Sequence, residues 1–226
     1  MSLSQLALPF LDAGGTTDQG FLEAPSNAAA RAWLARVETW PGGRLVIWGE
    51  SGCGKTHLLR RWAACSNASV VAGAALHGPP EPPATGLAID DADRVADDAN
   101  LLHTLNAAAE AGLPVLLTAS APPARWPARL PDLMSRLRTI TAVAIATPEE
   151  WLLKALLAQQ FAERQLAVPE PVQDWILLRL PRTAAAVREF ATRLDEAALA
   201  AGRAVNRMLA ASVLAGLDEN GQAPLG

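Results

Sequence analysis

Within the 226 residues, the stretch Gly49-Glu50-Ser51-Gly52-Cys53-Gly54-Lys55-Thr56 restricts the fold more than any other. It is a full G-x-x-x-x-G-K-T pattern. Before it runs Arg44-Leu45-Val46-Ile47-Trp48, a short apolar run that reads as a buried strand; after it a helical pattern covers 55–64. Strand, glycine-rich turn and helix in that order form a phosphate cradle. Gly49, Gly52 and Gly54 let backbone amides curl into a concave anion nest. The helix adds the positive end of its dipole. Lys55 supplies a charge for β- and γ-phosphates, and Thr56 a hydroxyl for Mg²⁺. A glycine-rich turn with a chance lysine is the competing reading, and the flanking strand and helix argue against it.

Further apolar runs at 69–72, 87–91, 113–119 and 139–146 read as strands, with helices at 26–39 and 101–111. Ser26 or Asn27 caps the helix at 26–39, whose Trp33, Val37 and Trp40 recur at helical spacing before Pro41-Gly42-Gly43 breaks it. Residues 78–86 hold four prolines and must be loop. Runs that alternate between strand and helix predict an α/β fold: a five-stranded parallel sheet with helices on both faces. After Pro148 the strand signal ends. Helical segments at 148–165, 169–179, 183–201 and 204–216 predict a small all-helical lid, with Trp151 and Trp175 as core positions. The expected organisation is a flexible tail at 1–20, a nucleotide-binding α/β part at 21–147, the lid at 148–217 and a frayed end at 218–226.

Leu87-Ala88-Ile89-Asp90-Asp91 suits the second half of a nucleotide site. A strand ending in two acids, 35 residues after Lys55, places Asp90 to support Mg²⁺ and Asp91 to orient an attacking water. The alternative is a helix N-cap. Cys53 lies beside Lys55 and a helix start, features that lower a thiol pKa. It also fits as the filler of a tolerant position. Composition narrows the function. Hydrophobic residues make up 50% and the formal charge is −4, so a sizeable core is expected and nucleic acid is not the principal partner. Two cysteines and three histidines suit neither a disulfide framework nor a zinc cluster, and fit a reducing cytosol. No signal peptide or membrane-length apolar run is present, so a cytoplasmic protein is expected.

Gly54-Lys55-Thr56-His57-Leu58-Leu59, the Asp90-Asp91 pair and Leu130-Pro131-Asp132-Leu133-Met134-Ser135-Arg136-Leu137 together resemble the nucleotide-binding module of the bacterial replication initiator DnaA. Ser26-Asn27 resembles that family's segment near the adenine. The resemblance covers about 21–206 and implies an AAA+ module binding ADP or ATP with Mg²⁺ between sheet and lid, with His57 in the nucleotide-binding loop. It implies Arg136 as an arginine finger acting on a neighbour's γ-phosphate; a surface ion pair with Asp132 is the plain alternative. It implies Arg188 as the lid's sensor arginine; the alternative is a solvated arginine. Ser120 stands at the sensor position where initiators carry an acid, so intrinsic hydrolysis is expected to be weak. No helix-turn-helix segment follows the lid, so direct sequence-specific DNA binding is not expected.

Gln5-Leu6-Ala7-Leu8-Pro9-Phe10 resembles the peptide by which bacterial replication proteins dock on the DNA polymerase sliding clamp. Pro9 keeps Leu8 extended, Leu6, Leu8 and Phe10 offer apolar contacts, and Gln5 offers an amide that donates and accepts. Packing of this segment on its own chain is the alternative. Three apolar side chains at roughly 1.5–3 kcal/mol each must offset ordering of six residues at about 1 kcal/mol or more each. The peptide would therefore bind at micromolar strength at best. An initiator-like ATPase module with a clamp-docking tail resembles the Hda family, which implies a clamp-bound regulator that promotes hydrolysis of DnaA-bound ATP. The rivals are a DnaC-like helicase-loading ATPase and a non-catalytic adaptor between clamp and initiator. Self-association and turnover of its own ATP are open at this point.

Overall fold

A computed structural model of the chain describes residues 21–78, 85–202 and 205–221. In chain order, α1 (Pro25–Leu34) leads into β1 (Arg44–Trp48), α2 (Lys55–Ser66), β2 (Ser69–Ala72), β3 (Leu87–Asp90), α3 (Asp98–Glu110), β4 (Val115–Ala119), α4 (Pro131–Thr139) and β5 (Thr141–Ala144). Then come α5 (Glu150–Glu163), α6 (Glu170–Leu177), α7 (Ala184–Ala201) and α8 (Arg207–Gly221). The strands form one sheet in the order β2-β3-β4-β1-β5, and every pairing is parallel. Arg44 lies beside Val115, and Trp48 lies beside both Ala119 and Ala144, so the C-terminal ends of β1, β4 and β5 finish level.

The central strands are buried on both faces, which is why their sequences are apolar runs rather than alternations. Val46, Ile89, Val115 and Leu117 turn one way, onto Leu101 and Leu105 of α3 and Leu133 and Leu137 of α4. Leu45, Ile47, Ala88 and Leu116 turn the other way, onto Ala30 of α1 and Leu58, Leu59 and Trp62 of α2. Helices α5–α8 enclose a third apolar cluster around Leu157, Phe161, Ile176, Val187, Phe190 and Leu194.

Some boundaries differ from the sequence reading. The first helix stops at Leu34, and Val37–Thr39 forms a separate 3₁₀ turn. Thr39 turns its hydroxyl back to Arg36 O (2.7 Å), and Trp40 is held extended by Pro41. Trp40 nevertheless stays in the core, donating its indole N–H to Trp33 O at 2.8 Å. Ser26 and Asn27 lie inside the first turn rather than at its cap, which is Ala24, and Asn27 Oδ1 accepts the Ala24 N–H at 3.2 Å. Trp151 is not a core residue: it is 52% exposed, on the side of α5 away from Leu153, Leu157 and Phe161. Trp175 is half-buried against the lid core and carries Arg179 on its ring, 4.2 Å from the centroid. Helix α8 continues to Gly221, beyond the expected frayed boundary.

Phe190 has no solvent exposure and lies at the centre of the α5–α8 cluster. Phe190→Ala is expected to lower unfolding stability by about 3–5 kcal/mol, the usual cost of a phenylalanine-sized cavity. Urea denaturation checks this; a loss under about 1 kcal/mol would mean that the cluster collapses around the void.

Candidate functional site

The chain leaves β1 at Trp48, turns through 49–54 and enters α2 at Lys55. Gly52 and Gly54 have φ of 74° and 107°, left-handed values that glycine adopts at little cost and other residues rarely adopt. Gly52 is also fixed by packing: a Cβ there would lie 2.1 Å from the Cβ of Ala185 at the start of α7. Lys55 is buried, and its ammonium donates to Gly49 O and Glu50 O at 2.9 Å each, so its charge is held inside the rim of the loop.

Thr56, on the first turn of α2, donates its hydroxyl to Asp90 Oδ1 at 3.0 Å. The same oxygen accepts the hydroxyl of Thr118 at 2.6 Å, and Thr118 in turn accepts the Asp91 N–H at 2.9 Å. Thr118 is fully buried in β4 and holds the β3 terminus in place. Asp91 is in the left-handed region (φ 52°), makes no capping hydrogen bond, and has a side chain 44% exposed at the C-terminal edge of the sheet. Asp91 does occupy the N-cap position of a 3₁₀ turn at Ala92–Arg94, where its carbonyl and not its side chain accepts the Arg94 N–H at 2.9 Å. Ser120 does not join Asp90 or Thr56; its amide and hydroxyl both donate to Asp93 Oδ2. Thr118 and Asp93 were missed in the sequence reading. For Thr118 the signal was a hydroxyl inside an otherwise apolar strand run.

The lid and the segment leading into α1 close the loop from above and from the side. Arg188 on α7 donates to Gly52 O at 3.4 Å, and burial lowers its pKa against a weaker opposing pull from Glu163. Phe21 stacks on His57 (centroids 5.0 Å apart, planes at 10°) and reaches Gly54. Asn27 donates to Leu22 O, and Ser26 links α1 to the chain beyond β5 through Ala146 N and the Glu149 carboxylate. Glu149 sits below the usual carboxylate range because its own amide, and then Ser26, donate to it. Between these parts lies a cleft of about 310 Å³ bordered by Trp48, Glu50, Cys53, Thr147 and Thr183. A recess of about 40 Å³ adjoins it, walled by Phe21, Asn27, Pro148 and Arg188. Gly49, Gly52, Cys53, Gly54, Lys55, Thr56, His57, Asp90, Asp91 and Arg188 are thus brought to one end of the sheet.

The expectation of a lowered Cys53 pKa is overturned. Burial pushes the thiol up and outweighs the opposing effects of Lys55 and the backbone amides. Arg136 is placed apart from this group. It lies on α4, which delivers the chain to the N-terminal end of β5, where Thr141 pairs with Leu45. That end is one strand length from the glycine loop, roughly 13 Å for β1. Arg136 forms no ion pair with Asp132 among the described residues; its charge is felt instead by Arg44 at the start of β1. The motif at 5–10 (Gln5, Leu6, Leu8, Pro9, Phe10) lies outside the described residues.

No protein-family model matches the chain. Among solved structures it is similar to domain III of the Thermotoga maritima replication initiation protein DnaA: 18% identity, TM-score 0.73, covering 90% of this chain and 98% of that one. It is similar to AMPPCP-bound DnaA from Aquifex aeolicus (14% identity, TM-score 0.62, 78% of this chain and 65% of that one). It is also similar to the Thermotoga maritima RuvB Holliday junction branch migration motor (17% identity, TM-score 0.64, 85% and 67%). At these identities the likeness concerns the fold, which is the P-loop AAA+ fold in its DnaA-like form.

Cys65 is exposed and Cys53 is half-buried with a raised pKa. Iodoacetamide at pH 7.5 is expected to alkylate Cys65 faster, by about tenfold or more, since only exposed thiolate reacts. Peptide mass spectrometry over time checks this; faster labelling of Cys53 would mean that the loop opens more readily than its packing implies.

Proposed function

We propose that this chain binds ADP or ATP with Mg²⁺ at the cleft and regulates replication initiation in the manner of the Hda family. Held on the sliding clamp by the segment at 5–10, it presents Arg136 to ATP bound by a DnaA-type initiator and promotes hydrolysis there. The observation that carries the reading is the placement of Arg136. A strand length separates it from the Thr56–Asp90 pair, so it suits a phosphate on another molecule and not one in its own loop.

The residues at the cleft fit a magnesium nucleotide. Loop amides would donate to an anion, and the Lys55 ammonium would turn to it from the Gly49 and Glu50 carbonyls. Thr56 and Asp90 are hard oxygen donors of the kind that Mg²⁺ takes. The recess beside Phe21 and Asn27 would take the base, and Arg188 would exchange its carbonyl partner for phosphate. A bound nucleotide would supply the phosphoanhydride. Asp91 would orient water, but Ser120 brings no charge and is already engaged with Asp93, so intrinsic turnover would be slow. The nucleotide would act chiefly through the lid, which touches the loop at Gly52. Arg136, working in trans, would stabilise charge developing on the partner's γ-phosphate, an effect of about 10³–10⁵-fold where such fingers operate.

Two measurements test the reading. Calorimetry with purified sliding clamp should give micromolar binding that disappears when Gln5, Leu6 and Leu8 are changed to alanine. Hydrolysis of initiator-bound ATP should rise when clamp-loaded protein is added, and Arg136→Ala should remove at least about a hundredfold of that rise. Unaltered stimulation by the variant would exclude the finger. Absence of clamp binding by the intact chain would move the assignment to helicase loading, and clamp and initiator binding without stimulation would leave an adaptor.

A further inference from the structure

Two guanidinium groups converge on one indole in the lid. Arg179 lies 4.2 Å and Arg207 4.8 Å from the ring centroid of Trp175. Arg179 is held there by donating to Trp175 O at 3.0 Å, while Arg207 arrives from the start of α8. Both residues are exposed, and among the described residues neither has a carboxylate within ion-pair distance. The acids of α6 are taken: Glu170 and Asp174 both accept from Lys154, at 2.8 and 2.9 Å. The indole N–H of Trp175 is buried and has no acceptor either. One cation on the ring is explained by attraction to its π-face. A second on the same ring adds repulsion between like charges, which no acid offsets.

Apolar surface adjoins these donors. Leu178 follows Trp175 by three positions, on the same side of the turn that ends α6, and is 79% exposed; Met208, next to Arg207, is 75% exposed. Aromatic residues, methionine and arginine gathered at a surface are the composition enriched in protein interfaces. We propose that this corner of the lid docks an acidic amphipathic helix of a partner protein. Carboxylates one helical turn apart, about 5–6 Å between their Cβ atoms, match the spacing of two guanidiniums on one ring, and apolar side chains of the same helix face cover Leu178 and Met208. A single-stranded nucleic acid fits less well. It would stack bases on an open aromatic face, whereas this ring already carries two cations. Leu178 and Met208 would offer a phosphate backbone nothing. The surface is separate from the nucleotide cleft, which the lid meets through α7, and its affinity for an acidic helix does not depend on the function proposed above.

The probe is a synthetic amphipathic peptide with glutamates four residues apart and leucines on the same face. It is titrated into the full chain at low salt while indole and arginine Nε–H signals are followed by NMR, the Trp175 signal being the one lost in Trp175→Phe. Signals of Trp175, Arg179 and Arg207 should move with one binding constant, which added salt weakens. Charge reversal in Arg179→Glu/Arg207→Glu should cost at least about tenfold in affinity and transfer binding to the peptide's lysine counterpart. Arg207→Gln alone, a mild change at an exposed position, should cost about threefold, and Arg179→Lys/Arg207→Lys should keep most of the affinity. No movement of these signals at millimolar peptide, or undiminished binding by the charge-reversed variant, would overturn the proposal. Tighter binding of oligothymidylate at the same three residues would overturn it in favour of nucleic acid, and movement with phosphatidylglycerol vesicles but not with peptide would overturn it in favour of a membrane.

Discussion

One carboxylate oxygen joins the parts on which the site depends. Asp90 Oδ1 accepts hydroxyls from Thr56 on α2 and Thr118 on β4, so the glycine loop's helix, the end of β3 and the middle of the sheet meet at one atom. Thr118 then passes the constraint on, because it also accepts the Asp91 N–H and so holds that residue in its left-handed conformation. A carboxylate that takes two hydroxyl donors on one oxygen has its other oxygen available. Hydrogen bonds to a charged acceptor are stronger than neutral ones, so the orientation is well defined in a low-dielectric interior. The parallel sheet makes this possible: every strand releases its chain at the same edge, and distant segments converge there without long connections.

The second constraint is steric. Gly52 leaves no room for a side chain because Ala185 occupies that space, and Arg188, one helical turn further along α7, reaches the same residue's carbonyl. A change in the glycine loop is therefore felt by α7, and through the buried Val187, Phe190 and Leu194 by the whole lid core. Phe21 makes the corresponding contact at the other side, stacked on His57 and against Gly54. The loop is thus contacted by the lid and by the segment that leads into α1. A two-state response to nucleotide needs differential contacts of this kind.

What could be read in advance follows from how local each signal was. The strands at 44–48 and 69–72 were legible to the residue, because apolar runs flanked by turn residues have few alternatives. The glycine loop was legible because its chemistry is written in consecutive residues. The end of α1 was not: Trp33, Val37 and Trp40 keep helical spacing, yet Trp40 reaches the core by a 3₁₀ turn and an indole hydrogen bond. Trp151 was misread because aromatic size suggests burial, whereas its place on α5 is set by the phase of Leu153, Leu157 and Phe161. Ser120 drew notice over Thr118 because it stands at the strand end, where chemistry is expected. The contact that matters is made two residues earlier, by a side chain whose partner is 28 positions away. The pKa of Cys53 was misjudged for a related reason: nearby charge is visible in sequence, but burial is not.

The two ends of β1 differ in what they gather. At its C-terminal end the loop and Asp90 gather oxygens and amides around one cleft. At its N-terminal end Arg44 donates to Leu105 O, and α4, which carries Arg136, delivers the chain to β5 there. Within one molecule these ends cannot serve the same phosphate, since a rigid five-residue strand keeps them apart.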